Sequence, residues 1–148
     1  MQDRIEKKIE LNAPIARVWR ALTDHEEFGE WFRVRLDGPF VVGEISTGRI
    51  TYPGYEHLVW RAEVKAMEPE HLFSYTWHPG AVDETFDDSS EPATLVEFTL
   101  EATDSGTHLV IVESGFASLP ESRYAEALRL NDSGWTAQIE NIKSHVES

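Results

Sequence analysis

The sequence predicts an α+β fold in which a curved antiparallel sheet of about six to seven strands wraps around one long C-terminal α-helix. Two short helices follow the first strand. Three observations carry this expectation. Residues 4–11 read as a strand with Ile5, Ile9 and Leu11 on its inward face, and helical spacing follows at once through residue 32. From 34 to 115 the apolar period is two, interrupted by Gly- and Pro-containing turns. From about 120 to 147 the period is helical again.

Each element has a local reason. After the first strand, Ala13-Pro14 marks a helix start, because Pro is tolerated at the first helical position. Ile15, Val18, Trp19 and Leu22 then form one apolar stripe, which Thr23-Asp24 interrupts. A second short helix over about 25–32 carries Phe28, Trp31 and Phe32. Strands are expected at 34–37, 40–51, 56–67, 71–78, 93–102 and 107–115, broken at Gly38-Pro39, Pro53-Gly54, Glu68-Pro69 and Asp104-Ser105-Gly106. Such short turns join sequential strands into antiparallel hairpins. In the last helix, Tyr124, Leu128, Trp135, Ile139, Ile142 and Val146 fall on a narrow line, with Leu130 off it. A sheet with one apolar face must be covered, and only this helix is long enough to do so. A curved sheet gripping a helix leaves space between them, so the fold reads as a container.

Composition sets the outer limits. A chain of 148 residues with 41% hydrophobic content fits one domain, 1–148, with a single substantial core. Thirteen basic against 27 acidic residues give a formal charge of −14, which repels nucleic acid and anionic membrane. A neutral ligand or a basic partner surface stays open. The absence of cysteine excludes disulfides, thiolate nucleophiles and Cys-based zinc sites. No stretch approaches the roughly 20 apolar residues of a membrane span. The opening Met-Gln-Asp-Arg-Ile-Glu-Lys-Lys lacks the apolar run of a secretory signal, so a cytoplasmic location is expected.

The pattern Ala13-Pro14, Val18-Trp19, Ala21-Leu22-Thr23-Asp24 and Trp31 resembles the front of a known domain. Further matches follow in order: Val42-Gly43-Glu44, the Pro69 to Leu72 turn, Tyr75-Thr76-Trp77, Gly106-Thr107 with Leu109, Ser114-Gly115-Phe116, and Gly134-Trp135. Together they resemble the domain of activators of the heat-shock-protein-90 ATPase (the AHSA1 type) and their small bacterial relatives. That family lies within the START-like, or SRPBCC, birch-pollen-allergen-like superfamily. The resemblance implies a helix-grip fold and an internal cavity for apolar small molecules. It says little about chemistry, since members include binders and cyclases. Two departures stand out: Val42-Gly43 where relatives carry Gly-Gly, and Glu113 where many carry His.

The candidate binding residues follow from the container. Phe73, Tyr75 and Trp77 share one face of a strand, and an aromatic face suits a planar ligand or simply forms core. Trp60, Phe98 and Trp135 join this group, and Phe28, Trp31 and Phe32 are expected to wall one end. Glu113 shares parity with Leu109 and Ile111. Pointing inward, it would set a carboxylate in an apolar cavity, the usual starting point for a general acid or base. At a strand end it would instead meet water or one of Arg33, Arg49, Arg61, Arg123 and Arg129. Asn131 and Gln138 flank the stripe of the last helix beside Ile139, where they either orient a ligand or sit at the solvent boundary. His78 either faces the cavity mouth or ends a strand.

The six histidines show no close metal-ligand spacing. The acidic loop from Asp83 to Glu91 lacks the spacing and central Gly of a calcium loop, and reads as a solvated segment or lid. Ser114-Gly115 lacks the flanking Gly of a nucleophile elbow. No cofactor and no metal are expected. The leading expectation is a non-catalytic binder of an apolar, aromatic or lipid-like molecule. The alternatives are a co-chaperone-like protein partner, or a cyclase or hydrolase using Glu113.

Overall fold

In a computed structural model, residues 3–79, 85–87 and 91–147 are described. The chain runs β1 (Arg4–Leu11), α1 (Ile15–Thr23), α2 (His25–Phe32), β2 (Val34–Leu36), β3 (Ile45–Ile50), β4 (Val59–Glu68), β5 (Leu72–Trp77), β6 (Thr94–Ala102), β7 (Thr107–Ser114) and α3 (Glu121–Glu147), with a 3₁₀ turn at Phe116–Ser118. The strands form one seven-stranded sheet in the order β1-β7-β6-β5-β4-β3-β2, and every pairing is antiparallel. The fold is α+β and has the expected helix-grip arrangement, with α3 laid across the concave face. None of the described helices is long and apolar enough to cross a membrane.

The expected elements begin and end within a few residues of the observed ones, and the differences have local causes. Pro14 is the N-cap of α1, outside the helix, and Ile15 is its first residue. Residues 40–44 are not strand. Gly43 takes φ 87°, the Glu44 N–H closes a turn on the Val41 carbonyl, and Phe40 drops into the core. β4 starts at Val59 rather than 56, because Gly54 at φ 91° and the N–H bonds of Tyr55 and Leu58 wind residues 52–58 into turns. A register shift between Val64 and Ala66 adds a bulge in β4, and bulges bend and twist the strand that carries them.

Two glycines set how closely elements approach. A Cβ at Gly106 would lie 2.1 Å from the Leu11 carbonyl oxygen, where the β6–β7 turn crosses the end of β1. A Cβ at Gly29 would lie 2.4 Å from the Val34 carbonyl oxygen, where β2 returns past α2. The junction between α1 and α2 is a cap. Asp24 accepts a hydrogen bond from the Glu26 N–H at 3.0 Å, and Glu26 and Glu27 in the first turn complement the positive helix end.

The core lies between the concave face and the helices. Ile5 and Leu11 of β1, Trp60 and Val64 of β4, Phe73 and Tyr75 of β5, and Leu109 and Ile111 of β7 are buried, facing Ala127, Trp135, Ile142 and Val146 of α3. In α1, Val18 and Leu22 are buried while Ile15 and Trp19 are half-buried against the same core.

Candidate functional site

The interior is an aromatic cluster around a single carboxylate. Phe28 packs on Trp31, Phe32, Phe40 and Trp60, with ring centroids 4.8 to 5.4 Å apart. Contacts continue from Phe32 to Trp77 and Trp135, from Trp60 to Tyr75 and Trp77, and from Phe73 to Tyr75 and Phe98. Offset and edge-to-face pairs of this kind are worth about 0.5–1.5 kcal/mol each beyond their buried area. Near α2 the expected container is therefore filled by its own rings. The indole groups there are satisfied: Trp31 Nε1 donates to the Ala21 carbonyl at 2.8 Å, and Trp60 Nε1 to Ser46 Oγ at 3.0 Å.

Glu113 is wholly buried. It is not at a fraying end, because it pairs with Ile5 of β1 on one side and Val96 of β6 on the other. Its two oxygens meet four neutral side chains. Oε1 accepts from Trp135 Nε1 at 2.8 Å and from Asn131 Nδ2 at 2.9 Å. Oε2 accepts from Thr94 Oγ1 at 2.6 Å, Trp77 Nε1 at 2.7 Å and Asn131 Nδ2 at 3.0 Å. Indole N–H groups can only donate, so the set complements an acceptor-only carboxylate. Burying a charge is costly unless hydrogen bonds replace its hydration, and here indole, hydroxyl and amide groups do so. Of the five arginines considered for Glu113, Arg123 is engaged elsewhere, with Glu91 at 2.8 Å and the Pro79 carbonyl at 2.8 Å. With about four lone-pair sites on a carboxylate, both oxygens are fully used. Glu113 ties β5, β6 and β7 to α3 and has no free site for proton transfer to a ligand in this arrangement.

Next to it, the Tyr75 hydroxyl is buried without a hydrogen-bond partner. Burial, and then the negative charge of Glu113, push its ionisation well above the ordinary tyrosine range. It remains a neutral phenol.

Open space lies on the other side of the cluster. One cavity of about 90 Å³ is bounded by Phe32, Trp77, Leu130, Asn131, Trp135 and Gln138. A second, of about 150 Å³, is bounded by Phe32, Ile50, Leu58, Trp60, Arg61, Trp77, His78 and Asn131. Phe32, Trp77 and Asn131 belong to both walls.

Of the residues picked from sequence, Phe32, Trp60, Trp77, Asn131 and Trp135 therefore line these cavities, while Phe28, Trp31, Phe73, Tyr75, Phe98, Leu109, Ile111 and Glu113 are packed behind them. Ile139 is half-buried against the core. Gln138 donates to the Phe32 carbonyl at 3.0 Å and so pins the end of α2 to α3. Ile50, Leu58 and Leu130 were missed. The first two lie at the β3–β4 hairpin end, and Leu130 falls off the helical stripe, so no periodicity marks them. The acidic loop lies largely outside the described residues, but Glu91 at its end pairs with Arg123. Among the described residues no three His, Asp or Glu side chains converge as metal ligands.

Residues 12–147 match the family described as Activator of Hsp90 ATPase homolog 1-like protein. The chain belongs to that family. Solved structures share its fold. MLL2253 from Mesorhizobium loti is 28% identical, with a TM-score of 0.73 over 97% of this chain and 96% of that one. A protein from Arthrobacter aurescens shares the fold at 16% identity, with a TM-score of 0.79 over 97% of this chain and 86% of that one. So does Aha1 from Colwellia psychrerythraea, solved as a dimer, at 19% identity and a TM-score of 0.72 over 99% and 97%. No curated protein sequence matches the chain.

Proposed function

We propose that this Aha1-like domain binds an apolar small molecule at the two cavities that share Phe32, Trp77 and Asn131 as walls. That shared aromatic wall, with one amide beside it, is the observation that carries the reading: ligand sites combine apolar and aromatic lining with few polar groups. Drug-sized ligands need about 300–1,000 Å³, so the ligand is small, or Phe32 turns aside to join the two spaces. Catalysis is not part of the reading, because both oxygens of Glu113 are occupied. Binding to the native state alone raises stability by about 2.7 kcal/mol at a hundredfold excess over Kd. A panel of hydrophobic metabolites, including polyphenols and acyl lipids, should therefore contain compounds that raise the melting temperature and change tryptophan emission. A panel that moves neither would sink the reading.

The family membership and the exposed apolar side chains Val41, Val42 and Ile45 favour a second reading, contact with a chaperone. It predicts that the purified domain stimulates the ATPase of a heat-shock-protein-90 chaperone. An unchanged ATPase rate, with no complex in a pull-down, would dispose of it.

A further inference from the structure

Helix α3 carries a glycine that its own fold does not require. Gly134 lies inside the continuous helix Glu121–Glu147, where glycine is the weakest helix former after proline. A glycine is usually kept for a left-handed turn or for close packing of backbone. Neither applies here. Gly134 is not among the positive-φ residues, and beyond its chain neighbours and the helix backbone a Cβ would meet no atom within 4 Å. What the missing side chain leaves is space. Leu130, Gly134 and Gln138 recur at every fourth residue, so they follow one another along one line of α3. All three bound the 90 Å³ cavity. Gly134 is therefore a notch in that row, exposed at the surface and backed by Phe32, Trp77 and Trp135.

Resting on the binding reading above, we propose that Gly134 is the entrance of this cavity and sets its specificity, admitting the end of a neutral, unbranched alkyl chain. Size favours a chain over a ring: an apolar cavity of about 150 Å³ holds benzene, and this one is about 90 Å³. The polar side chains of the wall are already engaged. Trp77, Trp135 and Asn131 donate to Glu113. Gln138 Nε2 donates to the Phe32 carbonyl, and its Oε1 accepts from Asn141 at 3.1 Å. Recognition therefore rests on shape and apolar area, and a polar head group stays in water at the exposed rim. The charge of −14 disfavours an anionic head.

n-Hexanol and cyclohexanol have the same number of carbons and one hydroxyl each, and differ in girth. In NMR titrations of the full chain at neutral pH, n-hexanol should shift the indole N–H signals of Trp77 and Trp135 and bind more tightly than cyclohexanol. Gly134→Ala narrows the notch by one methyl group. It should raise the melting temperature by about 2–4 °C, since Ala is the better helix former and its Cβ meets open space. The same change should weaken n-hexanol about tenfold, the effect of one methylene in an apolar pocket, and Gly134→Leu should abolish its binding. A structural glycine would not couple a gain in stability to a loss of ligand. Unchanged n-hexanol affinity in both variants, or a Gly134→Ala chain that melts below the wild type, overturns the role of Gly134 and leaves the binding reading standing. Cyclohexanol binding as tightly as n-hexanol overturns the ligand class. A wild-type chain that does not bind n-hexanol sinks the proposal, and the binding reading falls with it only if the metabolite panel also moves neither melting temperature nor tryptophan emission.

Discussion

At the scale of single residues, Glu113 has the most at stake. It is fully buried, and each oxygen receives at least two donors. Glu113→Gln keeps the shape but turns one oxygen into a donor, which must then face either the indole of Trp77 or that of Trp135. Leaving a buried donor unpaired costs about 1–3 kcal/mol, and two confronted donors bring the expected loss to about 2–4 kcal/mol. Urea denaturation followed by tryptophan emission measures it. An unchanged midpoint would show that the carboxylate is not the anchor described here. Parity with Leu109 and Ile111 made an inward Glu113 one of two readings, a solvated strand end being the other, and the structure buries it. Its partners were not legible, because they lie 18 to 36 residues away in β5, β6 and α3. Asn131 shows the same limit: its place beside the stripe of α3 was readable from spacing, but nothing in that spacing names Glu113 as its partner.

At the scale of elements, the ends of three helices converge on Glu27. Its carboxylate accepts from Arg17 and from Arg20 at 2.6 Å, both in α1, and lies 3.0 Å from His145 Nε2 of α3. Glu30 of α2 lies 3.8 Å from the other nitrogen of His145. Burial alone would push the Glu27 carboxyl upward, but hydrogen bonds from His145 and Arg17, with the charge of Arg17 and the bond from Arg20, hold it below the ordinary range. Glu147 at the end of α3 is also held low, through the backbone N–H of Asn12 and then Lys143. A carboxyl whose folded value lies below its unfolded value of 4.5 adds stability that is present above that value. That stability is lost as pH falls through the lower folded value. Melting temperature should therefore drop steeply below about pH 4.5. Glu27→Gln should lose about 1.5–3 kcal/mol at pH 7, the range of hydrogen bonds to a charged group, and show a shallower acid decline. An identical acid profile in the variant would assign the effect to other carboxylates. The helices themselves were readable, since the spacing of Ile15, Val18, Trp19 and Leu22 needs no partner to be seen. This cross-helix cluster was not, because charged residues on helix surfaces carry no period that names their neighbours.

At the scale of the whole molecule, the charge of −14 bears on partners more than on fold. If the chaperone contact is real, an acidic domain meets a basic surface, and the association rate should fall as salt rises from about 0.05 to 0.3 M. A rate indifferent to salt would place the contact on Val41, Val42 and Ile45 instead. The architecture was legible because two periods alternate in a fixed order along the chain. The filling of its interior was not: Phe73, Tyr75 and Trp77 have the same parity whether they surround a ligand or one another. In the structure their ring contacts run through Phe28, Phe32, Phe98 and Trp135, and the two cavities lie beside the cluster they form.

The sheet order has a consequence for how the chain is made. β3 to β7 each pair with the strand just before them in sequence, but β1 pairs only with β7. On a ribosome, β1 is complete at Leu11 and its partner begins at Thr107. At about 5–20 residues per second, the first strand waits roughly 5–20 s for the seventh. During that interval Ile5, Ile9 and Leu11 have no sheet to join, and α1 and α2 have only a growing meander to rest on. The nascent chain thus carries an apolar, unpaired edge until β7 emerges, and the alternating Glu6, Lys8 and Glu10 on the other face of β1 keep that edge from recruiting a neighbour.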